Sequence, residues 1–371
     1  MHVGTVREIK THEYRVGLTP ESVRELVAHG HDVSVEAGAG SGIGASDSDY
    51  EAAGGAIRQS AAEVFAACEM IVKVKEPQAP ERAMLRKGQV LFTYLHLAPD
   101  AEQTADLLAS GVTAIAYETV TGPSGGLPLL KPMSQVAGRM AIQAGATALQ
   151  KENGGRGILL GGVPGVMPAK VAVIGGGTVG FNAAQMAVGL GADVTILDRS
   201  PAVLERLGIH FESRAKTRFS NRANLADSVA QADLVVGAVL VPGASAPKLV
   251  TRDMLGAMKP GAVLVDVAID QGGCFETSHP TTHADPTFIL DGIVHYCVAN
   301  MPGAVARTST YALNNVTLPH ALGIADKGWK AALQDDPHLA QGLNVHAGDV
   351  TYEAVARELG HEYRPVGEAL K

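Results

Sequence analysis

The sequence predicts an α/β protein built from two doubly wound parallel sheets with helices on both faces. Short apolar runs alternate with helical patterns through the first 130 residues, and the same alternation returns from Val171 to about residue 300. In the second stretch a glycine-rich turn, Gly175 to Gly180, separates an apolar run from a helical pattern. A length of 371 residues suits two domains of ordinary size.

The first 130 residues are predicted to form one parallel sheet. We predict its strands at residues 3–9, 33–36, 70–75, 90–95 and 112–117. Thr19-Pro20 starts a helix that Gly30 ends, because proline suits the first helical position and glycine the position after the last. The segment Thr121–Gly126 is the clearest break in composition, and a long helix is predicted over residues 134–151.

A second sheet is predicted from Val171 onward. Its strands are expected at residues 171–174, 194–197, 234–238, 262–268 and 293–299. After Met301 the chain is predicted to be helical to its end, without a strand, and such a tail cannot easily bury its apolar stripe alone. We therefore predict a discontinuous first domain, residues 1–130 plus 305–371, and a second domain, residues 131–304, with a cleft between them.

Composition excludes several classes of protein. A net charge of −8 and a pI near 5.9 argue against a nucleic-acid or anionic-membrane surface. The first ten residues do not read as a signal or transit peptide, and no stretch of 18 apolar residues occurs. Three cysteines without paired spacing fit a reducing cytoplasm. Cys274, His279 and His283 form the one cluster worth testing for metal, but their spacing matches no known ligand set, so no metal is predicted.

The glycine turn predicts a dinucleotide site of the Rossmann type. Gly175 allows a tight turn, Gly177 lets the backbone approach a pyrophosphate, and Gly180 lets helix and strand pack closely. Asp198 ends the next strand, about 20 residues after the glycine motif. A carboxylate at that spacing can accept hydrogen bonds from both ribose hydroxyls. Because that carboxylate repels a 2′-phosphate, NAD is favoured over NADP, although Arg199 lies next to it. The alternative is a glycine-rich turn without a ligand.

Polar residues follow several of the predicted strands. In open parallel sheets ligands bind beyond the carboxyl ends of the strands, so these residues are candidates for a site. They are Arg15, Lys75, His96 and Glu118 in the first stretch, with Asp270 and Asn300 in the second.

This set of residues suits oxidation of a 2-amino or 2-hydroxy acid. Arg15 and Lys75 offer two cations for a substrate carboxylate, and arginine can bind one with two hydrogen bonds. His96 titrates near neutrality and can move protons, and Asp270 can act as a second acid or base. Hydride transfer to a nicotinamide needs no metal, only positioning and a proton acceptor.

Each candidate also has an ordinary structural explanation. Lys75 and Lys73 could both be solvated on one strand face, and His96 could be a core histidine. Asp270 and Asn300 could be turn formers, and Arg15 a surface ion-pair residue. Glu118 is favoured as a partner for a cation over a proton carrier.

At these residues the chain resembles bacterial L-alanine dehydrogenases over essentially its whole length. The nucleotide-binding subunit of membrane transhydrogenase and the saccharopine dehydrogenases share that fold. The motifs that carry the resemblance are residues 13–16 (EYRV), 72–77 (VKVKEP), 92–97 (FTYLHL), 116–119 (AYET), 132–139 (PMSQVAGR), 161–166 (GGVPGV), 237–249 (GAVLVPGASAPKL), 265–273 (VDVAIDQGG), 298–302 (VANMP) and 308–313 (TSTYAL).

The resemblance implies NAD-dependent, reversible oxidative deamination of L-alanine to pyruvate and ammonium, in a cytoplasmic hexamer. It implies that Arg15 and Lys75 bind the substrate carboxylate and carbonyl and that His96 and Asp270 are the acid/base pair. Asn300, after its predicted strand, is a further substrate-binding candidate. The domain of residues 1–130 and 305–371 would bind the substrate, and that of residues 131–304 would bind NAD. By the resemblance the cofactor would be lined by Ser134, Thr178, Val179, Asp198, Ser220, Val239, Leu240, Val267, Val298 and Met301. Gly175, Gly177 and Gly180 of the glycine turn and Asp270 complete the predicted cofactor site.

The sequence departs from the family pattern at three places. Thr5-Val6 stands where a proline commonly precedes the basic residue Arg7, His279 stands where many members have arginine, and Val203 replaces a frequent basic cofactor contact. We expect weaker NAD binding at most. Two other functions stay open at this point: a transhydrogenase-type subunit that passes hydride between two nucleotides, and an NAD-sensing module without catalysis.

Overall fold

The structure, a computed structural model, describes residues 1–239 and 246–371. These residues divide into two compact units. Unit 1 comprises Met1–Met133 and Gly303–Lys371, so that it is discontinuous in sequence, and unit 2 comprises Ser134–Pro302. Each unit contains one sheet in which parallel strands predominate, which confirms the predicted α/β class.

The strands are numbered in chain order. They are β1 (His2–Thr5), β2 (Asp32–Glu36), β3 (Ala56–Arg58), β4 (Met70–Val72), β5 (Val90–Thr93), β6 (Thr113–Ala116), β7 (Lys170–Ile174), β8 (Asp193–Asp198), β9 (Ala215–Phe219), β10 (Leu234–Gly237), β11 (Val263–Asp266), β12 (Thr287–Leu290), β13 (Ile293–Tyr296), β14 (Leu343–His346) and β15 (Asp349–Val350).

The α-helices are numbered in the same way. They are α1 (Pro20–Ala28), α2 (Asp47–Ala52), α3 (Ala61–Ala67), α4 (Ala79–Arg82), α5 (Ala101–Ser110), α6 (Lys131–Ala148), α7 (Thr178–Gly189), α8 (Pro201–Phe211), α9 (Arg222–Gln231), α10 (Arg252–Leu255), α11 (Ala306–Lys327), α12 (Trp329–Asp335), α13 (Pro337–Ala340), α14 (Glu353–Leu359) and α15 (Val366–Ala369). No helix of the described ranges is long and apolar enough to cross a membrane.

In unit 1 the six strands from the first part of the chain are all parallel. Their order across the sheet is β3-β2-β1-β4-β5-β6, so the direction of winding reverses between β1 and β4. Strand β14 then pairs antiparallel with β6, and β15 pairs antiparallel with β14. In a doubly wound sheet the reversal between neighbouring strands is where ligands bind.

Unit 2 repeats the same winding. Its parallel strands lie in the order β9-β8-β7-β10-β11-β13, with the reversal between β7 and β10, and β12 is antiparallel on the edge beside β13. Alternate residues of β7 enter two different cores: Val171 and Val173 belong to one, Ala172 and Ile174 to the other. Burial on both faces explains why these strands read as continuous apolar runs.

The predicted helix start at Thr19-Pro20 is confirmed. The Thr19 hydroxyl accepts a hydrogen bond from the Ser22 N–H at 3.2 Å, and Pro20 is the first helical residue. Capping of this kind satisfies one of the N–H groups that a helix leaves unpaired at its start. Helix α1 ends at Ala28, two residues before Gly30, which has a φ of +85°.

The prediction of a strandless tail after Met301 is wrong. Residues 343–350 form β14 and β15, and Val345 of β14 is fully buried in the core of unit 1. The strand is only four residues long and includes the polar Asn344, so its alternation was too short to stand out between helical patterns. Three further strands were missed: β3 has three residues, β9 is mostly polar and exposed, and β12 is an antiparallel edge strand.

Replacing Val345 with Ala is expected to lower the stability of unit 1 by about 2 kcal/mol, because the lost methyl groups leave a cavity in a fully buried site. Thermal unfolding followed by circular dichroism would measure the change. Ile289→Ala is the control, since Ile289 is 58% exposed on the edge strand β12. Equal midpoint shifts in the two variants would contradict the placement of β14.

Candidate active site

The carboxyl ends of four neighbouring strands of unit 1 carry its predicted site residues. Strands β1, β4, β5 and β6 are adjacent, and the segments that follow them contain Arg15, Lys75, His96 and Glu118 respectively. Parallel strands end at one edge of the sheet, so these four residues lie on the same edge. The segments after β1 and β4 also flank the reversal of winding.

Arg15 is buried and its guanidinium is fixed in place. Its Nε and Nη2 donate to the two carboxylate oxygens of Glu13 at 2.7 and 2.6 Å, and Nη1 lies 2.9 Å from the sulfur of Met133. Burial alone would lower the pKa of Arg15, but hydrogen bonding and charge from Glu13 outweigh it and raise the pKa. Arg15 is 2% exposed, so the alternative of a surface ion pair is wrong.

Lys75 lies in the loop between β4 and α4 and is half-buried. Its peptide N–H is 3.3 Å from Glu8 Oε1, and its C=O accepts a hydrogen bond from the Thr93 hydroxyl at 2.9 Å. Lys73, by contrast, is fully buried between Glu8 and Glu81. The suggestion that both lysines are solvated on one strand face is therefore wrong for Lys73.

His96 presents its ring to solvent from a left-handed turn. Its φ is +50°, its side chain is 45% exposed, and its ring stacks on that of Tyr94 with centroids 5.8 Å apart. Glu118 Oε1 accepts the His96 N–H at 2.6 Å and lies 3.8 Å from the ring nitrogen Nδ1. The core-histidine alternative is wrong, because the imidazole is accessible and has a carboxylate within reach.

The three key glycines of unit 2 differ in what surrounds them. Gly175 has a φ of +103°, and a Cβ there would lie 2.7 Å from the Ala238 carbonyl oxygen. A Cβ on Gly180 would lie 1.8 Å from the Gly175 carbonyl oxygen, which backbone packing forbids. A Cβ on Gly177 would meet nothing within 4 Å, so the backbone at the start of α7 faces open space.

Asp198 ties the end of β8 to the glycine turn. Its Oδ2 accepts the Gly176 N–H at 2.7 Å and its Oδ1 accepts the Ser200 N–H at 2.8 Å. Each carboxylate oxygen can accept a further hydrogen bond, and the group is half-buried. Gly177 caps α7 without a side-chain hydrogen bond, which leaves helix N–H groups for an anion. These residues therefore fit the pyrophosphate and ribose of NAD.

Most other predicted cofactor residues of unit 2 also follow strands of its sheet or the glycine turn. Thr178 and Val179 start α7, and Ser220, Val239, Val267 and Val298 follow β9, β10, β11 and β13. Ser134 lies in the first turn of α6, and Met301 starts a short 3-10 helix. Leu240 lies outside the described residues.

Asp270 lies beyond the end of its predicted strand. Strand β11 ends at Asp266, and Asp270 is exposed in the short 3-10 turn Ile269–Gln271 that follows. Buried Asp266 accepts hydrogen bonds from the N–H groups of Ala268, Cys274 and Phe275 and from the Ser278 hydroxyl at 2.6–3.2 Å.

The Lys248 ammonium donates hydrogen bonds to three carbonyls that follow Asp270, those of Gly272, Gly273 and Phe275. Asp266 and Lys248 together fix the loop that carries Asp270. Sequence reasoning missed both residues as parts of the site. Asp266 stands inside the motif of residues 265–273, and an acid within an apolar run was the available signal.

Asn300 occupies a left-handed turn after β13. Its φ is +58°, a conformation that asparagine tolerates better than most residues, and its C=O lies 3.2 Å from His283 Nε2. The turn-forming role is therefore real for Asn300, alongside any role of its side chain. Within residues 1–239 and 246–371 no group of three or more His, Cys, Asp or Glu residues is arranged to hold a metal ion.

Two doubly wound units, one with a glycine turn followed by an acid at the end of the next strand, are typical of dinucleotide-dependent α/β oxidoreductases. Family models described as "Alanine dehydrogenase/PNT, N-terminal domain" and "Alanine dehydrogenase/PNT, C-terminal domain" match residues 4–137 and 141–353. The chain belongs to the alanine dehydrogenase/PNT family.

Individual relatives agree with this membership. The chain is 64% identical over 363 residues to an alanine dehydrogenase of Halomonas elongata, covering 98% of each chain. A solved L-alanine dehydrogenase is 52% identical, with a TM-score of 0.95 over 97% of this chain and 99% of that one. A transhydrogenase from Sinorhizobium meliloti is 28% identical, with a TM-score of 0.80 over 95% of this chain and 100% of that one.

Two glycine variants separate ligand binding from folding in unit 2. Gly177→Ala is expected to leave the unfolding midpoint nearly unchanged but to weaken NADH binding at least tenfold, because the new methyl group projects into open space beside α7. Gly180→Ala is expected to destabilise the protein by at least about 3 kcal/mol, since its methyl group meets the Gly175 carbonyl.

Quenching of protein fluorescence by NADH and thermal unfolding would measure the two effects. If the folded Gly177→Ala variant bound NADH as tightly as the wild type, the pyrophosphate could not bind at this turn. A Gly180→Ala variant as stable as the wild type would contradict the close contact between helix and strand.

Proposed function

We propose that this chain catalyses the reversible, NAD-dependent oxidative deamination of L-alanine, with Arg15, Lys75, His96 and Asp270 as the residues that handle the substrate. The reaction converts L-alanine, NAD⁺ and water into pyruvate, ammonium, NADH and a proton. The activity is that of the alanine dehydrogenases to which the chain is 54–64% identical over nearly its full length. The observation that carries the residue roles is the pair of cations, Arg15 and Lys75, at the winding reversal of unit 1.

Arg15 and Lys75 would hold the carboxylate of alanine and the carbonyl oxygen of pyruvate. Because Glu13 already fixes the guanidinium of Arg15, little side-chain entropy is lost when a substrate binds. Lys75 adds an ammonium group, and the backbone of Lys75 is held by Glu8 and Thr93. Asn300 is proposed as a further substrate contact.

His96 and Asp270 would share the proton transfers. Bound NAD⁺ would supply the acceptor for the hydride that leaves the alanine Cα as the amino group, after losing one proton, becomes an iminium. His96 or Asp270 would remove a proton from water as it adds to the iminium carbon. Protonation of the nitrogen and loss of the proton from the new hydroxyl would then release ammonia and leave the carbonyl of pyruvate. Glu118 would orient His96, since it accepts the His96 N–H and lies near the ring.

Unit 2 would bind NAD through the glycine turn and Asp198. The accessible carboxylate of Asp198 favours the free 2′-hydroxyl of NAD over a 2′-phosphate. His279, where many relatives carry arginine, stacks on Phe288 with ring centroids 3.8 Å apart. Val203 packs against the apolar core of unit 2. We propose that neither position supplies a charge to the cofactor.

Two other functions are less well supported. A transhydrogenase-type subunit is disfavoured because the solved transhydrogenase is 28% identical, against 64% for the Halomonas alanine dehydrogenase. A sensing module without catalysis is disfavoured because the chain keeps both predicted acid/base residues. The substrate role of residues 1–130 with 305–371, the NAD role of residues 131–304, the hexamer and the cytoplasmic location stay predictions.

Mixing the protein with L-alanine and NAD⁺ is expected to produce NADH, and His96→Ala is expected to lower kcat at least a hundredfold with NADH affinity unchanged. Absorbance of NADH and a fluorescence titration would measure the two quantities. His29→Ala is the control, because His29 is also exposed and lies 3.0 Å from the carboxylate of Asp326 in the same unit.

Near-normal turnover in His96→Ala would remove His96 from the chemistry. No NADH with alanine, but NADH with another amino acid, would redirect the substrate while keeping the reaction class. Equal losses in His96→Ala and His29→Ala would point to a general effect on the fold.

A further inference from the structure

A buried group of three charges lies directly beneath the loop that carries Lys75. The Lys73 ammonium donates to Glu8 Oε2 at 3.0 Å and to Glu81 Oε1 at 2.7 Å, and the three side chains are 0%, 1% and 2% exposed. We call Glu8, Lys73 and Glu81 the buried triad. Burial by itself lowers the pKa of Lys73, but the two carboxylates outweigh it and raise the pKa, so the lysine is charged.

The two carboxylates of the triad accept hydrogen bonds from the backbone of the loop between β4 and α4. Glu8 Oε1, the oxygen that does not bind Lys73, accepts the Val74 N–H at 2.7 Å and lies 3.3 Å from the Lys75 nitrogen. Glu81 Oε2 accepts the Gln78 N–H at 2.7 Å at the far end of the loop. Together with the Thr93 hydroxyl on the Lys75 carbonyl, these contacts fix both polar groups of the Lys75 backbone.

The same triad joins the two loops that carry the proposed substrate cations. Glu8 belongs to the segment after β1 that continues to Glu13 and Arg15, whereas Lys73 and Glu81 belong to the segment after β4. A second ion pair, Lys10 with Glu76, links the same two segments. The Arg15 segment and the Lys75 loop are therefore joined by the buried triad and by one ion pair whose lysine is partly exposed.

Burying three charges is costly, and an apolar set of similar volume would often be at least as stable. A carboxylate, however, can accept several backbone N–H groups at once, and an apolar side chain can accept none. The triad is thus suited to fixing an irregular loop, a task that apolar packing performs poorly.

We propose that Glu8 is a positioning residue. Held by Lys73, which also binds Glu81, it fixes Lys75 relative to Arg15 and thereby sets the affinity for the substrate carboxylate. The inference rests on the proposed function of those two cations. It places the triad outside the reacting atoms, so its loss weakens substrate binding and leaves NAD binding intact.

The test compares Glu8→Gln with Glu36→Gln. Glu36 is also a buried glutamate of unit 1 that accepts a backbone N–H, that of Arg7 at 2.8 Å, but the structure records no bond from it to the Lys75 loop. Glu8→Gln is expected to raise KM for L-alanine and Kd for pyruvate about tenfold or more. Its kcat is expected to stay within about threefold and its NADH affinity within twofold, and Glu36→Gln is expected to change neither KM nor Kd.

Steady-state kinetics, calorimetric binding of pyruvate in the presence of NADH, and thermal unfolding provide the readouts. A merely structural triad would lower the unfolding midpoint of Glu8→Gln but leave KM and Kd within twofold of the wild type, which would overturn the proposal. Equal rises in KM for Glu8→Gln and Glu36→Gln would overturn it as well.

Thr93→Val covers the case in which Glu8→Gln does not fold. It removes the hydroxyl from the Lys75 carbonyl at nearly constant volume and is expected to raise KM for L-alanine severalfold. An unchanged KM in this variant would overturn the proposal. Wild-type protein that binds pyruvate but forms no NADH from alanine would instead overturn the proposed function, and the pyruvate affinities of the variants would still decide the role of the triad.

Discussion

The pairing of buried charges governs the carboxyl edge of the unit 1 sheet. Arg15 and Lys73 are both removed from water, and a buried cation left without a partner would cost about 3–5 kcal/mol. Glu13 satisfies the first, and Glu8 and Glu81 satisfy the second. Because these carboxylates also accept backbone N–H groups, the loops after β1 and β4 are held in one arrangement before any ligand arrives.

Unit 2 uses the same winding with different chemical means. Its reversal between β7 and β10 is organised by backbone contacts that only glycine permits, with Gly180 against the Gly175 carbonyl. Two carboxylates fix the loops of this unit by accepting backbone N–H groups. Asp198 holds the glycine turn, and Asp266 holds the loop of Asp270. One sheet architecture thus carries buried, paired cations in one unit and a glycine turn before a helix N-terminus in the other.

Much of this arrangement could be predicted from the sequence because parallel strands buried on both faces give continuous apolar runs. The polar residues that end such runs, Lys75, His96 and Asp198 among them, were therefore visible. The pairing of Lys73 could not be seen, since Glu8 is 65 residues away, Glu81 lies in the following helix, and nothing local distinguishes Lys73 from Lys75. Strands β9 and β12 were missed because edge strands keep polar or exposed residues that hide their alternation.

Strands β14 and β15 have a consequence for how the protein is made. During synthesis from the N-terminus, β6 emerges with one edge unpaired, and its antiparallel partner follows more than two hundred residues later. All of unit 2 leaves the ribosome in that interval. An open edge invites pairing with other chains, so the nascent first unit is exposed to that hazard until β14 arrives.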